Sequence, residues 1–222
     1  MSDVEPIVIV FLTKERTDYA LRTLQSTRAK LRYPDLRWYI ADGGSSDYHF
    51  DAVRAALDGE HIIGWHRDPP TSYGRDANIA WEAAHKDSNL TLWLEDDWEL
   101  LQEFNLRPYA DAVRDNAEVG MIRLGYIQAG MRGETRGYNG HLYWLLDRDS
   151  PDAHVFAGHP SLRHWRFREA YGPYEEGLPP GVTEISYAWQ FRQGMGPGIL
   201  WPCELGPYGV FGHIGERQSY TL

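Results

Sequence analysis

Through the first 124 residues, short apolar runs alternate with longer segments whose apolar positions recur every three to four residues. This is the pattern of strands alternating with helices around a mostly parallel sheet. The run at 7–12, Ile-Val-Ile-Val-Phe-Leu, predicts a buried strand. Leu21, Leu24, Arg28 and Leu31 are spaced by three or four and predict a helix to about Lys30, with Thr17 or Asp18 as its cap. Residues 37–41 predict a second strand, closed by Asp42-Gly43-Gly44. Asp47 can cap a helix over 50–57, and residues 61–65 predict a third strand ahead of the turn Asp68-Pro69-Pro70. Residues 74–85 read as a helix, and 90–94 as a fourth strand running directly into Glu95-Asp96-Asp97.

After a helix at 108–116 and a strand at 121–124, the alternation breaks into a Gly- and Arg-rich stretch, 125–140. The chain therefore divides into halves 1–124 and 125–222 of one α/β domain, the second forming a smaller lobe. That second half predicts a strand at 141–146, a helix around 161–171, a turn-rich segment at 172–181 and a helix near 184–193. A tail punctuated by Gly and Pro follows. The cluster Gly194-Met195-Gly196-Pro197-Gly198 precedes an apolar run and does not open a helix, so it is no dinucleotide fingerprint. G-x-x-x-x-G-K-[ST] is absent, and there is no internal repeat.

Of the 222 residues, 42% are hydrophobic and 24% charged, which is ordinary globular usage far from the disordered range. No apolar run approaches the roughly 18 residues that span a bilayer, and the amino terminus is acidic. The expectation is a cytoplasmic protein without a membrane segment. One cysteine, Cys203, excludes an intramolecular disulfide framework and a cysteine-cluster metal site. The nine histidines never form H-E-x-x-H, which argues against a zinc hydrolase. Charge changes the picture more. The 22 basic and 32 acidic residues give −10, against a generally DNA-coating surface. Yet from Arg123 to Arg168 seven arginines face four acids, so that segment is +3 and the remainder −13.

In an open α/β sheet, ligands collect at the carboxyl ends of the strands. Three polar clusters fall there: Thr13-Lys14-Glu15-Arg16, Asp42-Gly43-Gly44-Ser45-Ser46-Asp47 and Glu95-Asp96-Asp97. Three neighbouring carboxylates repel one another unless positive charge is present, and a hard divalent cation bound to a diphosphate supplies it. The alternative is a solvated acidic turn, but these acids emerge from the apolar strand Leu90-Thr91-Leu92-Trp93-Leu94. Gly43 and Gly44 leave room for close approach of a ligand, or simply for a tight turn.

These clusters resemble a GT-A-type glycosyltransferase, near the family-2 nucleotide-sugar-dependent enzymes. The likeness is good over the first half and loose over the second. Thr13, Arg16 and the helix through Leu24 resemble the family's opening strand and helix. Asp42 to Asp47 resembles its D-D-G-S-x-D turn, which holds the nucleoside, with Gly43 in place of the second acid. Gly74-Arg75-Asp76-Ala77-Asn78 resembles the stretch whose arginine meets the diphosphate. Glu95-Asp96-Asp97 resembles the D-x-D-like motif, with Asp97 in the place of the direct ligand to Mn2+ or Mg2+. The resemblance thus implies donor contacts from Thr13, Arg16, Asp42, Gly43, Arg75, Glu95 and Asp96. His213, within Gly212-His213-Ile214-Gly215, resembles the late histidine that completes the metal site. Glu184 suits the catalytic base that opens a helix, with Glu175, Glu176 and Asp147 as competitors and a first-turn helix carboxylate as its plain structural reading.

The resemblance implies transfer of a sugar, with inversion, from a nucleoside-diphosphate sugar to an acceptor hydroxyl. Without a membrane segment, the chain resembles phage or bacterial enzymes that decorate a soluble or polymeric acceptor. A hydroxymethylated pyrimidine in phage DNA is one such acceptor: the arginine-rich segment and the aromatics favour it, and the net charge disfavours it. The arginines Arg163, Arg166 and Arg168 read either as acceptor-phosphate contacts or as stems covering apolar surface. Trp98 is a candidate for stacking on a sugar or base. The rivals are a metal-dependent nucleotidyltransferase, which lacks here its Gly-rich basic loop, and a non-catalytic sugar-binding module.

Overall fold

The computed structural model describes residues 4–67, 72–151 and 154–215. The first half runs β1 (Ile7–Thr13), α1 (Thr17–Lys30), β2 (Leu31–Arg32), β3 (Leu36–Asp42), α2 (Asp47–Ala56), β4 (Ile62–Arg67), α3 (Tyr73–His85), β5 (Leu90–Glu95) and β6 (Trp98–Leu100). It continues through β7 (Phe104–Asn105), α4 (Arg107–Asp115), β8 (Val119–Arg123), β9 (Gly133–Tyr138) and β10 (His141–Leu146). The last elements are β11 (Ser161–His164), α5 (Trp165–Tyr171), α6 (Pro180–Gln193), β12 (Gly198–Pro202), a 3-10 turn (Cys203–Tyr208) and β13 (Phe211–His213).

β1 is buried along its whole length because its alternate residues enter different layers: Ile7, Ile9 and Phe11 one core, Val8, Val10 and Leu12 the other. It is parallel to β3 on one side and to β5 on the other, and β4 extends the parallel set. The nine-stranded sheet continues β5-β11-β8-β12-β10-β9, with β11 antiparallel between β5 and β8. Residues of α1, α2 and α4 fill the first core, and those of α3, α5 and α6 the second. A small sheet pairs β6 with β13, and another pairs β2 with β7. Among the described residues, no helix is long and apolar enough to cross a membrane.

Several local expectations need correction. Neither Thr17 nor Asp18 caps α1; Arg16 holds the cap position and makes no side-chain cap bond. The buried stripe of α1 is Tyr19, Ala20, Thr23, Leu24, Ser26 and Thr27, so Arg28 faces solvent. Thr23 and Ser26 can be buried because their hydroxyls are satisfied: Thr23 donates to the Asp96 carbonyl and Ser26 to that of Thr23. Ser46 caps α2, so Asp47 lies inside it. The predicted helix at 161–171 begins as strand β11, and only its second part is helical. The helix predicted near 184–193 begins at Pro180, a residue suited to the first turn because it lacks the N–H that would go unbonded there. Asp68-Pro69-Pro70 lies outside the described residues.

The arginine-rich segment also reads differently in three dimensions. Arg123 is fully buried and donates to the carbonyls of His154, Val155 and Tyr126. Arg163 is fully buried too, 4.3 Å from the Trp93 ring centroid, and donates to Ser161 and Tyr174. Arg148 donates to the Gly196 carbonyl and the Tyr171 hydroxyl, and Arg168 pairs with Glu82. Arg166 gathers the carbonyls of Val113, Arg114, Asn116 and Val119, the last turn of α4 and the start of β8. Five of the seven arginines are therefore spent on the protein's own carbonyls, rings and acids. They form no face for acceptor phosphates. Accordingly, Arg166→Ala should cost about 1–3 kcal/mol of unfolding free energy by leaving those carbonyls unbonded, read from the urea midpoint at constant m-value. An unchanged midpoint would contradict this assignment.

Candidate active site

Register places the polar clusters on one edge. Thr13 lies opposite Asp42, and Leu12 opposite Glu95, at the carboxyl ends of three adjacent parallel strands. A cavity of about 660 Å³ opens there, lined by the 12–16 loop, residues 95–98, the start of α6 and His213. Arg16 dominates its charge balance. One guanidinium nitrogen donates to Asp97 Oδ2 at 2.6 Å and another bonds Asp96 Oδ1. Asp96 is almost fully buried; its Oδ2 accepts from the Thr13 hydroxyl at 2.9 Å and the Lys14 N–H at 3.1 Å. Burial pushes the Asp96 carboxyl up to about 6 despite the opposing charge of Arg16. At Asp97 burial acts in the same direction, but the His213 hydrogen bond and Arg16 outweigh it and hold the group below its ordinary value.

Glu184 reaches the same cavity from the second turn of α6, which excludes the reading of a first-turn helix carboxylate. Its Oε1 accepts from the Gly158 N–H. Glu95 Oε1 accepts from the Tyr73 hydroxyl at 2.7 Å. Gly158 is what lets the two carboxylates share this wall: a Cβ there would fall 2.9 Å from Glu95 Oε1 and 3.5 Å from Glu184 Oε1. Burial first, and then the charge of Asp97, push Glu95 up to about 8, so it holds a proton at neutral pH. The third wall is aromatic. Trp98 lies 4.8 Å from His159 and 5.0 Å from His213, centroid to centroid. His159 Nδ1 accepts from Arg123 at 3.0 Å, since a guanidinium only donates, and burial with that neighbouring charge lowers the imidazole to about 2.

The β6–β13 pairing sets His213 opposite Trp98, and His213 Nε2 lies 3.3 Å from Asp97 Oδ2. Ile214 N–H donates to the Asp97 carbonyl at 2.8 Å. Gly215 must lack a side chain, because its Cβ would stand 2.4 Å from Asp97 Oδ2. Asp97 Oδ1 is buried with no hydrogen-bond partner. A hard carboxylate oxygen in need of a partner, beside an imidazole, fits a divalent cation. Among the described residues no three His, Cys, Asp or Glu side chains converge as a metal cage.

Of the residues singled out in the sequence, Thr13, Arg16, Glu95, Asp96, Asp97, Glu184 and His213 line one cavity. Asp42, Gly43 and Arg75 do not. Asp42 is fully buried, with Oδ1 accepting from the Ser45 N–H, and the Gly43 N–H donates to the Thr13 carbonyl. Arg75 is exposed on α3. The rival bases also lie elsewhere: Asp147 pairs with Arg132, Glu175 accepts from Ser186 and Glu176 from Asn78. Trp98 is only 3% exposed and packs at tilted angles against Tyr126, His159 and His213, so little of its ring is open for stacking. Lys14, from the first of the polar clusters, lines the cavity too, and Tyr73, Gly158 and His159 line it without having been expected there. These three come from loops and a helix that no motif marks.

The chain shares its architecture with solved glycosyltransferases. Residues 1–349 of S. aureus TarS, in complex with UDP-GlcNAc, match at a TM-score of 0.69 and 13% identity, over 96% of this chain and 60% of that one. The mannosyltransferase PcManGT from Pyrobaculum calidifontis, in complex with GDP-Man and Mn2+, matches at 0.65 and 15%, over 98% and 59%. GalNAc-T7 with UDP, GalNAc and Mn2+ matches at 0.68 and 15%, over 99% and 46%. The fold is therefore the α/β fold of GT-A glycosyltransferases. The chain spans about 60% or less of the length of these proteins. No protein-family profile matches it, and no curated protein matches it in sequence.

The state of Glu95 is open to test in the presence of a chelator. From its ordinary value of 4.5 up to about 8, the unfolded chain has lost this proton and the folded one retains it, so rising pH favours unfolding. Glu95→Gln keeps an acceptor for Tyr73 and has no proton to lose. The variant should gain stability relative to the wild type steadily from pH 5 to pH 8, in parallel urea titrations, and then level off. A difference that stays flat across that range would mean that Glu95 ionises normally.

Proposed function

We propose that this protein is a nucleotide-sugar-dependent glycosyltransferase that inverts the anomeric centre of the sugar it moves. The observation that carries the reading is the convergence of Asp97, His213 and Glu184 on one cavity at the carboxyl edge of a GT-A sheet. The comparison proteins were solved with UDP-GlcNAc, GDP-Man, or UDP with Mn2+, which supports a nucleoside-diphosphate donor. Asp97 and His213 would hold Mn2+ or Mg2+, which supplies positive charge for the leaving diphosphate. Lys14 and Arg16 add fixed positive charge to the same wall, a role that the exposed Arg75 does not share within this cavity.

Glu184 is the proposed base. The acceptor hydroxyl oxygen attacks the anomeric carbon as the bond from that carbon to the diphosphate breaks, the electron pair leaves with the nucleoside diphosphate, and the hydroxyl proton passes to a Glu184 oxygen. A single carboxylate acting from the face opposite the leaving group gives inversion. The Gly158 N–H holds Oε1, leaving Oε2 for this work. Thr13, Asp96 and Glu95 are the proposed donor contacts on the strand side, with Asp42 and Gly43 behind them at the end of β3. The acceptor is a hydroxyl compound; a hydroxymethylated pyrimidine in DNA remains one arm of the test, without support from the inward-turned arginines.

The reading is tested by nucleotide release from UDP-GlcNAc, UDP-glucose and GDP-mannose with Mn2+, alone and with oligosaccharide or hydroxymethylated DNA. Wild type should release nucleotide faster with one class of acceptor. Glu184→Gln should lower that rate by about 10²–10⁴ while nucleotide binding persists. Binding without release from any donor would point to a binding module, and retention at the product's anomeric proton would remove the single-base mechanism.

A further inference from the structure

His49 has so far had no part in the site, yet it is fully buried behind it. Its backbone is fixed by Ser46, the cap of α2. Its ring lies between two threonines: Nε2 is 2.8 Å from Thr13 Oγ1 and Nδ1 is 2.9 Å from Thr17 Oγ1. The proton inventory selects one arrangement. A threonine hydroxyl has one proton, and that of Thr13 goes to Asp96 Oδ2 at 2.9 Å. Thr13 Oγ1 must then accept from His49, so Nε2 carries the hydrogen and Nδ1 accepts from the Thr17 hydroxyl. Burial lowers the imidazole below its ordinary value and keeps it in this neutral form.

The bonds continue without a break. His49, Thr13, Asp96, Arg16 and Asp97 form one chain from α2 to the acids of the cavity. An apolar side chain would fill the same space under α2, but it would leave the Thr13 hydroxyl free to rotate away from Asp96. We infer that His49 is a positioning residue, which orients the Thr13 hydroxyl and through it holds Asp96 and Arg16 in the geometry that receives the nucleoside diphosphate. This rests on the proposed donor site.

The test is calorimetric binding of UDP and of GDP, each in excess Mn2+, to the intact protein. His49→Leu should weaken the nucleotide that the wild type binds by about tenfold, the usual scale for a lost bond in a charged network. His49→Gln can still present an N–H at the Nε2 position and should stay within about threefold. His49→Asn reaches only the Thr17 side and should behave as Leu. In a Thr13→Val background, His49→Leu should weaken binding no further. Equal losses from His49→Leu with and without Thr13, or equal affinities for the Gln and Asn variants, would overturn the inference and leave a packing role. Should His49→Leu not fold, His49→Asn runs the same cycle. Failure of the wild type itself to bind either nucleotide would instead overturn the donor-site reading, and this inference with it.

Discussion

Three carboxylates leaving a buried strand in succession repel one another, and Arg16 is the side chain that makes Glu95, Asp96 and Asp97 tolerable at the end of β5. Two like charges about 4 Å apart at an effective dielectric of about 20 cost about 4 kcal/mol, so the cluster needs a counter-charge before it needs a ligand. Arg16 bonds two of the three, and Glu95 avoids the problem by holding a proton. The surrounding elements follow from that pairing. Arg16 sits at the cap position of α1, Thr13 ends β1, and the β6–β13 ladder delivers His213 to the same Asp97 oxygen that Arg16 bonds.

The cavity therefore has an electrostatic division. On the strand side, carboxylates, Arg16, Lys14 and His213 form a mixed-charge wall suited to a cation and a diphosphate together. On the helix side, α6 carries Glu184 against the Gly158 N–H, with Tyr73 and Tyr174 beside it. Neutral His159 and Trp98 close the third wall and exclude further charge. In the proposed displacement the charge-stabilising groups come from a strand end and the base from a helix of the second half of the chain, both lining one cavity.

Much of this was legible in the chain itself. Unbroken apolar runs at 7–12 and 90–94 announced the central strands, and the polar residues just after them had to lie on one edge of the sheet. Glu184 and His213 stood out through flanking glycines and a short motif, and the structure brings both to that edge. The arginines stay ambiguous in sequence because a buried guanidinium and a phosphate-binding one look identical there; the aromatic box of Trp81, Trp93 and Phe156 around Arg163 is visible only in the fold. Ser161-Leu162-Arg163-His164 looked helical for the same reason, with Arg163 bonding Ser161 inside the sheet and not at its surface. His49 and Gly158 follow no pattern at all, since each matters through a contact with a residue 26 or more positions away.

The proposed cation and diphosphate site rests on Asp97 and His213, with Arg16 bonded to Asp97. Anomalous scattering from Mn2+, in crystals grown with UDP or GDP, tests it most directly. A single strong peak is expected within coordination distance of an Asp97 oxygen and the His213 ring, with the diphosphate beside it. A well-ordered nucleotide in the cavity with Mn2+ bound elsewhere, or Mn2+ at Asp97 with the nucleotide outside the cavity, would contradict it.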